Sequence, residues 1–505
     1  MQVQSPTALS DPLRVVSIKH DGFYRNLLLD LAQLLHDRHG SELHWYCPRP
    51  EMVAFLKSDP RTEIFASINH VDAAHRSRFD TAFDEDAVMR HARELEQRYG
   101  TTINRFAVTD RHFGRGFAPT GFFHPRSRQS EGSSYGHFVE TYNDFLDYWD
   151  REFENKGIGL HITSDWRETA VARSRGALSR RAMSSRFQNY HFWATDEFGF
   201  SDRLEPAYLA ATAADTDVEI ASGPLTTVKQ IEGRRRNADV RYLLRSLLRK
   251  LRTYAYHRYK GHSKASHYYL HDELRFIVKQ WRDARRMQAP GLVSQAQLAG
   301  RPYVYLPLQV DPEMGYQGQS PEYFYQHSAI MSVARDLPAG VVLAVKEHFP
   351  ALGRRPANFY DQLRDLKNVA LVDIRENGLE LIRGAAAVVS ITGTAGQEAA
   401  VLGKPVITFG RHNIYNILPH VSVVTDEAQI EGYLHRAMSA DFDAQAARTA
   451  GARYIDALKA ISFDLESANL DDKAAYSPAS VEAAYDRLLE SLHQPEARNA
   501  GLAQA

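Results

Sequence analysis

The stretch that decides the fold class lies at residues 386–398, AAVVSITGTAGQE. Its first half is a short apolar run, which is typical of a strand that is buried on both faces. Its second half is a glycine-rich turn that leads into a helix. Buried strands of this kind belong to parallel sheets with helices on both faces. We therefore predict a doubly wound α/β unit around this stretch.

The same alternation of strands and helices extends on both sides of the stretch. We predict strands at 302–308, 341–345, 369–372 and 405–409, and helices at 322–335, 360–366, 379–383 and 396–402. Parallel strands need a crossover between them, and a helix usually supplies it. These elements predict one doubly wound lobe over residues 299–425, followed by a mostly helical segment over 426–505.

The first half of the chain alternates in a similar way. We predict strands at 13–18, 43–47, 64–68, 158–163 and near 182–184, and helices at 22–40, 50–57, 138–153 and 168–175. These elements predict a second doubly wound, Rossmann-like lobe over residues 1–225. Two such lobes would face each other across a cleft, and such sheets bind ligands at the carboxyl ends of their strands.

Composition excludes several other classes of protein. The chain has 505 residues, is 44% hydrophobic and 24% charged, and has a formal net charge of −1. It can bury a large core, and it lacks the excess positive charge of a protein that coats nucleic acid. Its single cysteine, Cys47, excludes a disulfide framework, and we expect a buried strand thiol there. No apolar run is long enough to span a bilayer, and residues 1–12 lack a signal-peptide pattern, so we expect a cytoplasmic protein.

Two segments interrupt the alternation. Residues 108–136 are rich in Gly, Arg, His and Phe, which predicts a long loop that either lines the cleft or is a plain surface insertion. Residues 229–264 contain twelve Lys or Arg against two acidic residues, a charge of +10 that leaves −11 on the rest of the chain. We assign residues 226–298 to a basic helical linker between the lobes.

The basic linker contains an amphipathic helix. Its apolar stripe lies beside a stripe of arginines, Arg241, Arg245, Arg249 and Arg252. This pattern suits an anionic membrane surface or a polyanionic substrate. The alternative is a helix that packs its leucines on a lobe and leaves its arginines in solvent.

The glycine-rich turn is the strongest candidate for a binding site. Glycine lets a ligand approach the backbone closely, and the start of a helix presents free N–H groups. Thr392, Gly393, Thr394 and Gly396 could therefore hold a phosphate, and Glu398 could accept hydrogen bonds from ribose hydroxyls. The alternative is an ordinary strand-to-helix turn with Thr394 as its N-cap.

Further polar residues follow two neighbouring strands. Lys346, Glu347 and His348 come directly after a buried strand, where Lys346 could pair with a phosphate or with Glu347. Gln309 occupies the equivalent place after the first strand of this lobe. The alternative is a solvated loop with a terminal salt bridge.

These blocks resemble the capsule polysaccharide biosynthesis family. The resemblance rests on LPLQVDPE at 306–313, VKEH at 345–348, TGTAGQEA at 392–399 and GKPV at 403–406, in this order, with FG at 409–410. It covers roughly residues 300–420. The family pattern has His-Pro directly, whereas Phe349 separates His348 from Pro350 in this chain.

The resemblance implies a GT-B fold and a glycosyltransferase that uses a nucleotide-sugar donor and a glycan or glycolipid acceptor. Characterised relatives include retaining transferases that use CMP-Kdo. It places nucleotide and phosphate contacts on Lys346, His348, Thr392, Gly393, Thr394 and Glu398. We count Gln309, Glu347 and Gly396 as further candidate contacts of the same nucleotide-sugar site. It implies no metal or other cofactor, since helix N–H groups and basic side chains can neutralise the leaving group.

Catalytic groups have to be argued from chemistry. A retaining transfer needs a carboxylate nucleophile or a tightly held leaving group. Asp165 and Glu168 follow a predicted strand of the first lobe, where Asp165 could attack the anomeric carbon and Glu168 could shuttle a proton. The alternative is a capping box, with Asp165 as N-cap and Glu168 as its partner.

Two other functions remain open at this point. A UDP-sugar 2-epimerase shares the two-lobed fold and a glycine-rich turn followed by Glu. A non-catalytic protein could instead bind polysaccharide and pass it to an exporter through the basic helix. Transfer needs an acceptor, epimerisation does not, and a binding protein does neither.

Overall fold

The computed structural model describes residues 11–71, 83–108, 125, 133–212, 218, 220, 238–261, 269–288, 291–311, 318–323, 325–466 and 476–493. Most of the predicted loop at 108–136 and residues 229–237 of the basic linker lie outside this set. The described residues form two compact units. Unit 1 combines those of 11–106, 133–207 and 458–493, and unit 2 combines those of 208–457 with 107, 108 and 125.

Thirteen strands are found within the described residues. They are β1 (Val15–Lys19), β2 (Glu42–Cys47), β3 (Phe65–His70), β4 (Leu160–Ile162), β5 (Leu178–Ser184), β6 (Tyr190–Ala194), β7 (Tyr303–Pro307), β8 (Val342–Lys346), β9 (Val369–Val372), β10 (Ala387–Ser390), β11 (Val406–Thr408), β12 (Val421–Val423) and β13 (Ser462–Asp464).

The α-helices of the described residues follow in chain order. They are α1 (Arg25–His39), α2 (Pro50–Leu56), α3 (Glu85–Tyr99), α4 (Ile103–Phe106), α5 (Tyr135–Lys156), α6 (Trp166–Ser174), α7 (Leu204–Ala210), α8 (Val240–Tyr259), α9 (Leu270–Arg286), α10 (Gln295–Leu298), α11 (Gln326–Asp336), α12 (Phe359–Asp365), α13 (Gly378–Gly384), α14 (Thr394–Val401), α15 (Ile430–Ala437), α16 (Ala444–Ile461) and α17 (Pro478–Leu492).

Unit 1 is built on a seven-stranded sheet with the order β13-β6-β5-β4-β1-β2-β3. The strands from β5 to β3 are parallel, and β6 and β13 add an antiparallel edge. Leucines of α1 and the apolar face of the C-terminal helix α17 pack in its core. A fully buried leucine stabilises the fold by roughly 1.5–3 kcal/mol, so α17 contributes to unit 1 although it lies far away in sequence. Cys47 is buried at the end of β2, as predicted.

Unit 2 is built on a six-stranded parallel sheet with the order β12-β11-β10-β7-β8-β9. Strand β7 lies in the middle and pairs with β8 on one side and β10 on the other. Val304, Leu343, Val345 and Val389 of these strands are buried in the core of the unit. Apolar runs without alternation form such strands because helices cover both faces of the sheet.

The predicted fold class is confirmed. Both units are doubly wound, Rossmann-like α/β structures, as a GT-B-like fold requires, and helices predominate after residue 426. The sequence did not predict β6, β12 and β13. Of these, β12 and β13 have only three residues each, too few for a clear hydrophobic period.

Candidate functional site

The topology of unit 2 brings several predicted site residues to one edge of its sheet. Gln309 follows β7, Lys346 ends β8, and Gly393 follows β10. Because β7 pairs with both β8 and β10, these residues share the edge where the carboxyl ends of the strands meet, which we call the unit 2 edge. A Cβ atom at Gly393 would lie 2.5 Å from Nε2 of Gln309. The Gln309 amide therefore lies directly against this glycine.

Glu347 forms a buried ion pair. Arg355 donates from Nε to Oε2 of Glu347 at 2.8 Å and from a terminal nitrogen to Oε1 at 2.9 Å. The hydroxyl of Tyr360 also donates to Oε2, at 2.7 Å. Burial opposes the charge of Glu347, but the guanidinium and these hydrogen bonds hold its pKa below the ordinary value. Arg355 is thus an ion-pair partner of Glu347 that the sequence did not predict.

The same arginine ties two loops of the unit 2 edge together. A terminal nitrogen of Arg355 donates to the carbonyl oxygen of Gln309 at 2.5 Å. The backbone N–H of His348 donates to Oε1 of Glu347 at 2.6 Å. Arg355 therefore fixes the backbone at Gln309 and at His348 through one buried cluster. The sequence does not predict this role, because a single arginine in a Gly-Arg-Arg-Pro turn gives no local sign of its partner.

The departure from the family pattern at Phe349 has a structural reason. Phe349 begins a short 3-10 helix, Phe349–Ala351, and its ring is buried in the core of unit 2. His348 takes the N-cap position of that helix and is exposed. The extra residue anchors the loop to the core next to the exposed His348.

Lys346 has a charged neighbour beyond the end of the adjacent strand. Asp373 follows β9, which pairs with β8. Burial opposes the charge of Asp373, but hydrogen bonds from Arg375 and, more weakly, the charge of Lys346 lower the pKa of that carboxyl. Lys346 is half-buried at the edge of the sheet, where its positive charge can attract an anionic group.

The glycine-rich turn starts a helix without a side-chain cap. The N-cap of α14 is Gly393, which has no side chain to cap the helix. The alternative that Thr394 is the N-cap is therefore wrong; Thr394 is the first helical residue and is exposed. The backbone N–H of Gly393 donates to the Ser390 hydroxyl at 3.1 Å. A helix start of this kind favours an anion.

Gly396 has a packing role that differs from that of Gly393. A Cβ atom at Gly396 would lie 2.8 Å from Cζ of Tyr415 and 3.0 Å from Cβ of Ser390. Tyr415 is buried, so it cannot move aside cheaply. Glycine at 396 therefore lets α14 approach the Tyr415 ring, which is a structural reason for the second glycine of the motif.

Asn413 joins the next two loops of the unit 2 edge and was not predicted. Its buried amide nitrogen donates to the carbonyl oxygens of Ile391 at 2.7 Å and Gly410 at 3.0 Å, and to the Thr408 hydroxyl at 2.9 Å. Ile391 follows β10, and Thr408 ends β11. A lone asparagine after a strand predicts a turn, so only the fold shows that Asn413 supports the glycine-rich turn.

The two remaining residues of the motif lie at different depths. Thr392 is buried and Glu398 is half-buried. Burial and, second, the charge of Glu398 raise the pKa of Tyr305 on β7 well above its ordinary value. Glu398 thus lies near the sheet from the first turns of α14.

In unit 1, Asp165 and Glu168 form the capping box that was the alternative prediction. Oδ1 of Asp165 accepts from the backbone N–H of Arg167 at 3.0 Å and from that of Glu168 at 3.4 Å. In return, the N–H of Asp165 donates to Oε2 of Glu168 at 2.9 Å. These hydrogen bonds cap the start of α6. A catalytic role for the two carboxylates stays a prediction.

Both carboxylates also belong to a larger charged network. Lys19, at the end of β1, donates to Oδ2 of Asp165 at 3.0 Å and to Oε1 of Glu168 at 2.6 Å. His161 lies 3.4 Å from Oε2 of Glu168 and 2.7 Å from the Ser17 hydroxyl. Glu168 is fully buried, whereas Asp165 retains 12% of its side-chain exposure. Only Asp165 of the pair can therefore reach a ligand.

The environment of Asp165 keeps it ionised. Burial opposes its charge, but Arg167 and Lys19 together hold the pKa of Asp165 well below its ordinary value. Arg167 donates to Oδ2 at 2.6 Å. Two residues before Asp165, Thr163 adopts a φ of 69°, which is rare for a β-branched residue. Strained backbone of this kind is often found at functional sites.

The basic helix is α8, and its leucines divide between two surroundings. Leu243 and Leu247 are half-buried, and Lys250 pairs with Glu273 of α9 at 2.5 Å. Leu244, Leu248 and Leu251 are 55%, 65% and 43% exposed. The alternative, in which the leucines pack on a lobe, therefore fits Leu243 and Leu247 but not Leu244, Leu248 and Leu251. Among the helices described, none is long and apolar enough to cross a membrane.

Three solved structures illustrate which proteins this chain is similar to. KpsC of Thermosulfurimonas dismutans, a beta Kdo 2,7 transferase, is 14% identical, with a TM-score of 0.32 over 69% of this chain and 90% of that one. HepE of Anabaena, in complex with UDP-glucose, is 12% identical, with a TM-score of 0.31 over 95% and 99%. The UDP-GlcNAc 2-epimerase of Methanocaldococcus jannaschii is 9% identical, with a TM-score of 0.27 over 85% and 94%. TM-scores this low show nothing about the activity of this chain.

The family comparison is more specific. No curated protein sequence matches the chain significantly. Residues 226–455 match the model of the family described as capsule polysaccharide biosynthesis protein. The match contains all the motifs of the unit 2 edge, from Gln309 to Gly410. The predicted resemblance is therefore confirmed: residues 226–455 are similar to the capsule polysaccharide biosynthesis proteins.

Proposed function

We propose that the chain is a glycosyltransferase of surface-polysaccharide assembly. It transfers a sugar from a nucleotide-sugar donor to a glycan or glycolipid acceptor. The observation that carries the proposal is the family match over residues 226–455, which contains the unit 2 edge with its glycine-rich helix start and Lys346. Two buried side chains, Arg355 and Asn413, brace the loops at that edge, so its binding groups are held in place before a ligand arrives.

The donor phosphate is assigned to the unit 2 edge. The N–H groups at the start of α14, the Lys346 ammonium and the His348 imidazole supply positive charge and hydrogen-bond donors there. Gly393 gives the phosphate close access to the backbone, and Gln309 lies beside it. Glu398 is assigned to ribose hydroxyls. Glu347 supports the turn through its ion pair with Arg355, and we assign it no contact with the donor.

The catalytic carboxylate is assigned to Asp165. Because it is ionised, it suits a nucleophile or a group that stabilises positive charge on the sugar. As a nucleophile, its oxygen bonds to the anomeric carbon while the bond to the phosphate oxygen breaks and the nucleotide leaves with the electron pair. The acceptor hydroxyl then displaces Asp165 and loses its proton to a base or to water. Glu168 is fully buried and acts as a positioning residue.

The donor is found by a binding panel before any transfer is measured. The purified chain is mixed with CMP-Kdo, UDP-glucose, UDP-GlcNAc and GDP-mannose, and the thermal midpoint is recorded for each. Kdo is included because it is the sugar named for KpsC. A donor at 100 times its Kd stabilises the fold by about 2.7 kcal/mol, which is readily seen as a shift in the midpoint. No shift with any donor contradicts the proposal.

The two competing functions give different outcomes in the same reaction mixture. Release of free nucleotide that depends on an added glycan acceptor supports transfer. Conversion of UDP-GlcNAc to a second UDP-sugar without an acceptor supports the 2-epimerase. Glycan binding without any turnover supports the export factor.

We also infer that α8 attaches the protein to an anionic membrane surface. Val240, Leu244, Leu248 and Leu251 form an exposed apolar stripe along a helix of 20 residues, and Arg241, Arg245, Arg249 and Arg252 flank it. An apolar stripe beside a row of arginines is the pattern of a helix that lies in the lipid interface. Each arginine near anionic lipid contributes roughly 1 kcal/mol, so four suffice for reversible attachment.

Liposome co-sedimentation tests this attachment. The native chain should pellet with vesicles that contain phosphatidylglycerol, pellet little with neutral vesicles, and be released by salt. Changing the four arginines to Gln should abolish pelleting, and changing Leu244, Leu248 and Leu251 to Ser should weaken it. Equal pelleting of all three proteins, or no dependence on lipid charge, contradicts the inference and leaves α8 as a structural helix.

A further inference from the structure

A basic pocket lies at the C-terminal end of α9, within unit 2. Its volume is about 540 Å³, which is the size of pocket that takes a small ligand or a headgroup. Four cationic side chains line it, together with one carboxylate and one indole: Lys279, Arg282, Arg285, Arg286, Asp283 and Trp281. We call it the α9 pocket. It shares no lining residue with the unit 2 edge.

The positive charge of the α9 pocket is only partly neutralised by the protein. Arg286 pairs with Asp361 at 3.8 Å, and both side chains are about half-exposed. Such a pair contributes little. Within the part of the chain that the structure describes, Arg282 and Arg285 are exposed and have no hydrogen bond or ion pair. Their guanidinium donors are therefore available to a ligand.

The carboxylate that lines the pocket is already bound. Oδ2 of Asp283 accepts from the backbone N–H of Gly353 at 3.0 Å and from the Lys279 ammonium at 3.4 Å. The same ammonium donates to the carbonyl oxygen of Arg355 at 2.7 Å. Asp283 and Lys279 thus hold the loop of residues 353–355. The charge that an anion would meet comes from the arginines.

Trp281 forms a wall of the pocket that is held in place. Its indole Nε1 donates to the carbonyl oxygen of Ala238, two residues before α8, at 3.1 Å. The Arg285 guanidinium lies 5.1 Å from the centroid of its ring. A cation over an indole face is attracted by the ring, so the contact orients Arg285 before a ligand arrives.

We propose that the α9 pocket binds a phosphate group with at least two negative charges, as a phosphomonoester or a diphosphate carries. Guanidinium groups bind phosphate oxygens with paired hydrogen bonds. Three arginines against one carboxylate that is already bound favour a multiply charged anion over a single carboxylate group. The site goes beyond the proposed transfer, because binding there needs neither the donor nor the acceptor.

Two sources supply phosphate of this kind, the headgroup of an anionic lipid and a free phosphorylated metabolite. The α9 pocket lies beside α8, since Trp281 binds Ala238 and Lys250 of α8 pairs with Glu273 of α9 at 2.5 Å. Because α8 is the helix that we infer to lie on an anionic membrane, we expect the lipid headgroup to be the source.

The fluorescence of Trp281 provides a local readout of the pocket. The other four tryptophans, Trp45, Trp149, Trp166 and Trp193, belong to unit 1. The full chain is titrated with inorganic diphosphate and with phosphatidylcholine vesicles that contain phosphatidic acid. Succinate, potassium chloride of equal ionic strength and pure phosphatidylcholine vesicles are the comparisons. A change in emission that Trp281→Phe lacks is assigned to the pocket.

The test variants are Arg282→Gln, which keeps the contact between Arg285 and Trp281, and Arg282→Gln combined with Arg285→Gln. The matched control is Arg383→Gln, which removes an exposed arginine from α13 of the same unit. Lys346→Ala separates the α9 pocket from the proposed donor site. Lys279 is left unchanged because it also holds the Arg355 carbonyl. Thermal melts confirm that each variant is folded.

We expect a saturable change in Trp281 emission with both phosphate probes. The double variant should bind each probe tenfold or more weakly, the single variant should lose less, and Arg383→Gln and Lys346→Ala should respond like the native chain. A response to the vesicles alone assigns the phosphate to a lipid headgroup, and a response to diphosphate alone assigns it to a soluble metabolite.

The proposal is overturned if neither probe changes the emission of Trp281, or if the double variant responds as the native chain does. It is also overturned if succinate or potassium chloride gives the same response, or if Lys346→Ala removes it. Loss of the proposal in any of these ways leaves the transferase untouched, because acceptor-dependent transfer is measured without the α9 pocket variants. A chain that binds diphosphate at the α9 pocket but transfers no sugar would refute only the transferase.

Discussion

Arg355 donates to both carboxylate oxygens of Glu347, at 2.8 and 2.9 Å, and both side chains are almost completely buried. The pair lies beneath the loops that carry Gln309 and His348, since Arg355 also donates to the Gln309 carbonyl and Glu347 accepts from the His348 N–H. A buried pair that loses one member leaves the other charge without a partner, which costs more than the pair contributes.

Breaking this pair should therefore destabilise the protein strongly. Arg355→Ala should lower the free energy of unfolding by about 3–5 kcal/mol, measured by urea denaturation. The control is Arg364→Ala, which removes an exposed ion pair to Asp361 and should cost under about 1 kcal/mol. Similar losses for the two variants would show that the buried pair does not brace the edge.

The two glycines of the motif should respond differently to substitution. A side chain at Gly393 meets the Gln309 amide, which can move, whereas one at Gly396 meets the buried Tyr415 ring. Gly393→Ala should thus weaken nucleotide binding tenfold or more with little loss of stability, and Gly393→Val should abolish binding. Gly396→Ala should lower stability by about 1–3 kcal/mol, as overpacked cores do.

Gly432→Ala is the matched control for both glycines, because a Cβ there would meet only the end of Arg436 at 3.8 Å. It should leave binding unchanged and stability equal or slightly higher. Thermal melts and calorimetric titration with the donor separate the two effects. Normal donor affinity in a folded Gly393→Val variant would refute the phosphate assignment.

We expect Lys346 and His348 to bind the donor and to contribute little to the stability of the fold. Each charge-assisted hydrogen bond to phosphate contributes about 1.5–3 kcal/mol, so Lys346→Ala and His348→Ala should each lower transfer roughly tenfold or more. The melting temperature should change little, since neither side chain lies in the core. Lys367→Ala removes an exposed lysine of the same unit and should have no effect. A large loss of stability with normal activity would instead indicate a structural role.

Asp165 should make the protein less stable in acid. Its folded-state pKa is below that of the unfolded chain, so its contribution is complete above the ordinary aspartate value of 3.8 and is lost as the pH falls through the folded value. At pH 7, Asp165→Asn should cost about 1.5–3 kcal/mol, because hydrogen bonds to a charged group are lost while Asn still caps α6. The difference between the native chain and the variant should shrink as the pH is lowered from 5 to 2.5. A constant difference across that range would contradict the ionised state of Asp165.

The sequence predicted the elements that carry a regular hydrophobic pattern. Both doubly wound sheets and the placement of Lys346 and Gly393 at strand ends follow from local periodicity, because apolar runs and glycine turns act over a few residues. The supports of the site were not predictable in this way. Arg355 reaches back eight residues to Glu347, and Asn413 joins loops more than 20 residues apart, so each partner is defined only by the folded chain.

The charged network around Asp165 shows the same limit of local sequence. Asp165 and Glu168 were recognisable as a capping box within four residues, and the structure forms it. That Lys19 binds both carboxylates depends on the pairing of β1 with β4, which joins residues about 146 positions apart. Local sequence therefore indicated which residue types were present but not which of their charges would pair.

Transfer measured with a matched pair of proteins tests the central claim most directly. The native chain and Lys346→Ala are incubated with the donor selected by the binding panel, with and without a capsule-type glycan acceptor, and the glycosylated acceptor is quantified by mass spectrometry. We predict acceptor-dependent product with the native chain and at least tenfold less with Lys346→Ala. Nucleotide sugar that stays intact with every acceptor, or product formed equally by both proteins, would contradict it.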